Sequence, residues 1–268
     1  MPASKPLPEW DRVLSSAAHL QEIFPDAVLV GGTATAIHAR HRVSVDADHV
    51  LPDLRTRFDE ILAQLESVAG WKTARVRRPV QILGNLDGIE TGIRQLIRDE
   101  PLETKQVTHQ GHAITVPTEA EMLRIKAVLI LKRNATRDYL DFVAMQDRLG
   151  EAGTLAAMRS FDRLYPQPNG ESPTQQLLVQ LAKPMPYDLE ETRLSEYKLL
   201  ALRWHDWKTV SQACARCSAR LFADLARQVS KRPRTMGGKV ASLPDLPRRR
   251  PEPRRLNGRK VRAERGLA

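Results

Sequence analysis

Apolar and polar positions change rhythm along the chain, and each rhythm predicts a different element. Trp10, Val13, Leu14, Ala17, Leu20 and Phe24 recur near helical spacing, which predicts a first helix ended by Pro25. "AVLVGG" is a short apolar run that breaks at Gly31-Gly32, and "TATAIHAR" predicts a short helix with Thr33 near its start. "VSVDADHV" alternates and is β-branched, so it predicts a strand. "LRTRFDEILAQLESVAG" predicts an amphipathic helix closed by Gly70. "WKTARVRRPVQILG" and "GIETGIRQLIR" flank Asp87-Gly88, a hairpin signal, and "ETKQVTHQGHAITVP" predicts another hairpin around Gln110-Gly111. From Pro117 the pattern is helical, with helices predicted over 118–132, 137–149, 154–163, 174–182 and 194–228. The expected fold class is α+β. A mixed sheet with helices occupies 1–117, a helical domain 118–229, and a disordered basic tail 230–268.

Charge sharpens that division. The formal net charge is +10 over 268 residues. Residues 230–268 hold 13 Lys/Arg and 3 Asp/Glu, while the 29 basic and 29 acidic residues before them cancel. A segment this rich in Pro, Gly and Arg buries too little apolar surface to offset its ordering entropy. Its charge suits a polyanion such as RNA, and a purely solubilising extension has the same composition. No apolar run is long enough to span a membrane, and the N-terminus lacks an apolar signal segment, so no membrane partner and a cytoplasmic location are expected. Cys214 and Cys217 form one C-x-x-C without a second pair, so packing on a helix is expected rather than a closed zinc site. His109 and His112 flank a turn and are expected in solvent. Trp204 and Trp207 are expected to anchor a helix in the core.

The chemistry concentrates in "VGGTATAIHARHRVSVDADHV". A strand that breaks at Gly31-Gly32 and feeds a helix leaves unpaired N–H groups, and the absence of side chains lets phosphate approach. Asp46 and Asp48, two apart on a strand, share a face. Such a pair can hold Mg²⁺, which favours oxygen ligands and substrate phosphates. Arg40, His41 and Arg42 lie between these features; they offer phosphate or RNA contacts, or form an ordinary basic loop. Neither a Rossmann nor a P-loop glycine pattern is present.

This stretch resembles the signature of the DNA polymerase β nucleotidyltransferase superfamily. More closely, "GGTATAIHARHRVSVDAD" is similar to the AbiEii toxin-like nucleotidyltransferases, whose members carry a glycine pair and then S-x-D-x-D. "EMLRIKAVLILKRNATRDYLDF" supplies a second similarity, a helix lysine followed by R-D-x-x-D, at Lys126, Arg137, Asp138 and Asp141. The resemblance covers about residues 25–150. It implies NTP binding by Gly31, Gly32, Thr33 and Lys126, Mg²⁺ on Asp46 and Asp48, and a mobile lysine charge at the triphosphate. It implies transfer of an NMP to an RNA (tRNA-like) or protein hydroxyl, and a cognate antitoxin as partner. Asp138 and Asp141 either take part in catalysis or pair with Arg137 or Lys126. One departure stands out. Polymerase-β-like enzymes carry a third strand carboxylate, and Gly92 occupies the aligned position. Either Glu90, two residues earlier on the same strand face, is the substitute, with open space at Gly92 beside it, or the site works with two acids and the Asp138/Asp141 region, or it is degenerate. A non-catalytic NTP- or RNA-binding relative and an aminoglycoside-type nucleotidyltransferase remain alternatives.

Overall fold

The computed structural model describes residues 8–231, so the basic tail lies outside the described residues apart from its first two positions. The fold is α+β. Helix α1 (Pro8–Ile23) leads into β1 (Val28–Leu29), α2 (Gly31–Ala39), β2 (Asp46–Leu51) and α3 (Phe58–Glu66). Two hairpins follow from β3 (Trp71–Arg77), β4 (Gln81–Leu86) and β5 (Ile89–Gln95), and a further one from β6 (Thr104–His109) and β7 (His112–Pro117). The chain then turns helical: α4 (Glu119–Arg133), α5 (Thr136–Met158), α6 (Phe161–Leu164), α7 (Pro173–Ala182) and α8 (Trp207–Lys231).

The main sheet has the order β1-β2-β5-β4-β3. Only β2 and β5 run parallel; their register sets Asp46 beside Glu90 and Asp48 beside Gly92. β2 shows the two-residue period directly. Ala47, His49 and Leu51 are buried on one face, whereas Asp46, Asp48 and Val50 are part-exposed on the other. Phe58, Ile61 and Leu65 of α3 pack with Leu51, Ile82 and Ile93 of the sheet in one apolar cluster. A larger cluster joins Val13 and Ala17 of α1 and Ala47 of β2 to Met122, Tyr139, Leu177 and Cys214. The all-helical pattern starts after residue 117, yet this core runs unbroken across that point.

Both expected hairpin turns form, with Asp87 and Gly88 at φ 55° and 82° and Gln110 and Gly111 at φ 48° and 88°. Two element assignments need correction. "WKTARVRRPVQILG" is two strands, because the chain reverses at Arg78-Pro79, where proline cannot donate to a ladder. The helices expected at 137–149 and 154–163 are separated as expected: the backbone within α5 leaves helical geometry at Gly150 (φ 68°, ψ 178°), the second segment runs to Met158, and α6 follows at Phe161–Leu164. The long helix expected over 194–228 begins only at Trp207, after short 3-10 turns at Leu194–Glu196 and Leu202–Trp204. Asp206 starts it by accepting from the Lys208 N–H at 3.0 Å, a capping signal that the apolar spacing upstream obscured. Trp204 and Trp207 therefore do not share a helix. Trp204 is buried, and Trp207 meets Tyr139 edge-on at 6.0 Å. Cys214 and Cys217 are both buried on α8, as packing residues should be. His112 is exposed, but His109 is largely covered beside Asp11.

His49 is fully buried, with Nδ1 3.0 Å from the Ala47 carbonyl, and burial pushes its pKa down to about 4. In the unfolded chain it titrates near 6.5. Below that pH the unfolded state takes up a proton that the fold refuses until about pH 4. The stability tied to neutral His49 is therefore complete above pH 6.5 and falls by on the order of 3 kcal/mol as pH drops to about 4. His49→Gln should flatten the stability–pH curve measured by urea unfolding across that window. An unchanged slope would show that His49 does not govern it.

Candidate active site

β1 ends against β2 through the Val30 N–H, which donates to the Asp48 carbonyl at 2.8 Å. Gly31 then takes φ 73°, a conformation that favours glycine. At Gly32 the need is space: a Cβ there would lie 2.6 Å from both Arg42 Nη2 and Ser44 Oγ. The glycine pair thus lets the start of α2 settle directly against β2. The residue before α2 is Val30, which offers no side-chain cap, so the first-turn N–H groups carry their partial positive charge uncapped beside the aspartates. Thr33 is fully buried, and its hydroxyl donates to the Asp46 carbonyl. Its side chain ties α2 to β2.

Asp46 and Asp48 face a cleft of about 400 Å³ between the sheet and α4–α5. Asp46 accepts from the Ser44 hydroxyl. Asp48 Oδ1 lies 3.6 Å from Arg94 Nη2; burial raises its pKa, opposed mainly by Arg94. Arg42, Lys126, Arg133 and Arg137 line the same cleft, Arg133 and Arg137 close enough to act on the Asp48 charge. Two carboxylate donors beside this cationic wall fit Mg²⁺, which is typically held by one or two protein carboxylates together with substrate phosphates and water.

The second motif does something different. Asp141 is fully buried and both its oxygens are engaged. Oδ1 accepts from His41 Nε2 and Arg42 Nε, each at 2.8 Å. Oδ2 pairs with Arg42 Nη2 at 3.1 Å and with Lys126 Nζ at 2.8 Å. Burial works against its charge, but Arg42, Lys126 and the His41 hydrogen bond prevail and hold its carboxyl well below the usual range. Burial lowers the pKa of His41, so its ring is neutral at pH 7. The hub therefore carries two cations on one anion. Arg42 also stacks on Tyr197 at 5.5 Å, and the loop before β2 is latched by Val43 N–H to the Lys198 carbonyl (2.8 Å) and Ala201 N–H to the His41 carbonyl (2.7 Å). Asp138 is equally buried and takes both arms of Arg133, one at 2.6 Å.

Lys126 is accordingly neither mobile nor solvated; it is 1% exposed and ion-paired. His41 and Arg42 are not a surface loop. Asp138 pairs with Arg133 rather than Arg137. Glu90 is exposed, in register with Asp46 but outside the cleft lining. Gly92 has no open space beside it, because the Leu83 side chain fills the position a Cβ would take. Among the described residues no three His, Cys, Asp or Glu side chains are grouped to hold a metal. Sequence spacing did not reveal Arg94 and Arg133 as site residues, since their partners Asp48 and Asp138 meet them only through strand pairing and a helix–helix turn.

A family model described as "Nucleotidyl transferase AbiEii toxin, Type IV TA system" matches residues 12–214. The chain belongs to the AbiEii nucleotidyltransferase family. Among solved structures, this AbiEii-family chain is similar to a putative nucleotidyltransferase from H. pylori at 12% identity and TM-score 0.46, over 82% of this chain and 96% of that one. It is also similar to the antibiotic-resistance factor ANT(2'')-Ia at 10% identity and TM-score 0.44, over 57% and 91%. A segment is 33% identical over 120 residues to the mycolic acid-containing lipids exporter MmpL11 of Mycolicibacterium smegmatis, covering 44% of this chain and 12% of the exporter. The chain spans about an eighth of the length of that relative. No helix among the described residues is long and apolar enough to cross a membrane.

Replacing Asp141 by Asn would leave Arg42 and Lys126 buried without their counter-charge. Breaking a buried pair in this way costs about 3–5 kcal/mol. Asp46→Asn removes one of two neighbouring like charges and should leave stability unchanged or slightly raised. Urea denaturation of the two variants checks the contrast, and equal stabilities would contradict the hub.

Proposed function

We propose that this nucleotidyltransferase moves an NMP from an NTP onto an RNA hydroxyl, with Mg²⁺ held by Asp46 and Asp48. The observation that carries the reading is the meeting of two like-facing carboxylates with an uncapped helix start and a cationic cleft wall. When bound, Mg²⁺ supplies Lewis-acid polarisation of phosphate oxygens. The chain's own residues do the rest. Backbone N–H groups of Gly31, Gly32 and Thr33 receive phosphate oxygens. Lys126 and Arg42, fixed on Asp141, present surplus positive charge to the triphosphate. The acceptor oxygen attacks the α-phosphorus, the bond to pyrophosphate breaks, and the hydroxyl proton must leave. Glu90 is our candidate to receive that proton. Among the described residues it is the strand carboxylate beside Asp46 without an ion pair, whereas Asp138 and Asp141 are fully committed to cations. Asp138 and Asp141 act in this reading as positioning residues.

RNA, and tRNA in particular, is proposed as acceptor because the basic tail suits a polyanion. The family description, with its type IV toxin–antitoxin system, supports an antitoxin as partner. A cationic antibiotic as acceptor would meet an arginine-lined wall, which disfavours an aminoglycoside substrate. The lack of a three-acid group among the described residues favours a non-catalytic NTP-binding relative as the second reading.

Incubation with each labelled NTP, Mg²⁺ and total tRNA tests the proposal. Label should pass to RNA, and Asp46→Asn or Asp48→Asn should reduce transfer to background with normal circular dichroism. Full activity in either variant would refute the metal assignment; NTP binding without transfer to any acceptor would establish the second reading. Glu90→Gln should lower kcat by about 10²-fold with little change in NTP binding, the scale of lost general-base help. Near-normal turnover would remove Glu90 from the mechanism.

A further inference from the structure

The cationic end of the cleft accounts for a triphosphate, but not for the other end. There the lining is largely apolar: Val80, Leu96, Ile97 and Leu102 together with Ile125 and Leu129 of α4, beside the charged Arg77 at the end of β3. These side chains are only partly buried, and Ile97 is 61% exposed. Leu96, Ile97 and Leu102 belong to the strap between β5 and β6, which has no regular structure of its own. It is nevertheless held firmly. Arg98 donates Nε to the Glu100 carbonyl at 2.8 Å and Nη2 to the Pro101 carbonyl at 2.6 Å, bracing the strap from inside. The same guanidinium grips Glu121 of α4 with both arms, at 2.8 and 3.0 Å. Arg124 adds bonds to Glu121 at 2.9 Å and to Glu103 at 2.8 Å, and Arg98 stacks on Tyr165 at 5.3 Å. Glu121 is fully buried, with Arg98 and Arg124 nearly so. A buried ion network of this kind costs desolvation, so it is weak evidence for stability and better evidence for a fixed geometry. What it fixes is one wall of an apolar chamber opening off the aspartates.

We propose that this chamber takes the nucleobase of the incoming NTP, and that Arg98 and Glu121 are positioning residues that hold its wall. The inference rests on the nucleotidyl-transfer reading. Val50 follows Asp48 on the same face of β2, roughly 7 Å along the strand, so the chamber begins within one nucleotide's length of the carboxylates. A flat heterocycle with apolar faces suits walls of Leu, Ile and Val. The polar groups nearby are largely committed: the Gln95 amide bonds the Pro52 carbonyl at 2.6 Å and the Arg55 N–H at 2.7 Å, and Gln81 pairs with Arg94. Burial rather than edge hydrogen bonding therefore supplies the affinity there.

The test compares two probes in Mg²⁺, a non-hydrolysable NTP and inorganic tripolyphosphate, by calorimetry. The wild-type protein should bind the NTP at least tenfold tighter. Ile97→Ser and Leu129→Ser should each weaken the NTP by about fivefold to tenfold and leave tripolyphosphate unchanged. Ile97 is surface-exposed, so its replacement does not endanger the fold. Arg98→Lys keeps the charge but loses the fork, and should raise KM for the NTP more than it lowers kcat. Equal wild-type affinity for the two probes, or equal weakening of both in Ile97→Ser and Leu129→Ser, would overturn the chamber while leaving nucleotidyl transfer standing. Binding of neither probe would overturn both.

Discussion

Asp141 holds the candidate site together. One buried carboxylate gathers Arg42 from the loop before β2, Lys126 from α4 and His41 beside Arg42. The carboxylate and the two cations are each costly to bury alone, and each is tolerable only because the others are present, while neutral His41 adds a hydrogen bond. The arrangement locks the loop that leads into Asp46 against the helical layer. Gly32 sits at the edge of the same hub, where Arg42 and Ser44 leave no room for a Cβ. A single electrostatic cluster thus sets the distance between α2, β2 and α4, and with it the width of the cleft.

The hub is not neutral. Two cations on one anion leave the hub positive, and the cleft it faces receives Arg94, Arg133 and Arg137 against Asp46, Asp48 and the buried Asp138. Such surplus is unfavourable in the empty state and is relieved by an anion. Ligand binding should then stabilise the fold through linkage. Among the described residues neither Asp46 nor Asp48 forms a close ion pair with a buried cation; Arg94 lies 3.6 Å from Asp48. This division of labour follows from burial. The fully buried aspartates are ion-paired, and the part-exposed pair faces the cleft.

The glycine turn and the facing aspartates were legible in the sequence because they rest on local rules. A strand has a period of two, and Gly31 and Gly32 supply what a tight strand-to-helix turn needs. The hairpin at Asp87-Gly88 was legible for the same reason. The hub was not, because Arg42 and Asp141 stand 99 positions apart and meet only through the packing of α5 on α2. Lys126 and Asp141 were visible as residue types, yet nothing in their spacing showed that they neutralise each other. The strap around Arg98 carried no periodic signal at all. The helix expected over 194–228 failed at its start, where the chain packs Tyr197 on Arg42 instead of coiling and Asp206 caps α8 only afterwards.

The central claim is that Asp46 and Asp48 bind the metal while Asp141 stays paired with Arg42 and Lys126. Anomalous scattering from Mn²⁺, in crystals grown with a non-hydrolysable NTP, tests it most directly. The account predicts manganese at bonding distance from both Asp46 and Asp48, with the three-way contact of Asp141, Arg42 and Lys126 intact. Manganese bound to Asp141, with Lys126 released, would contradict it.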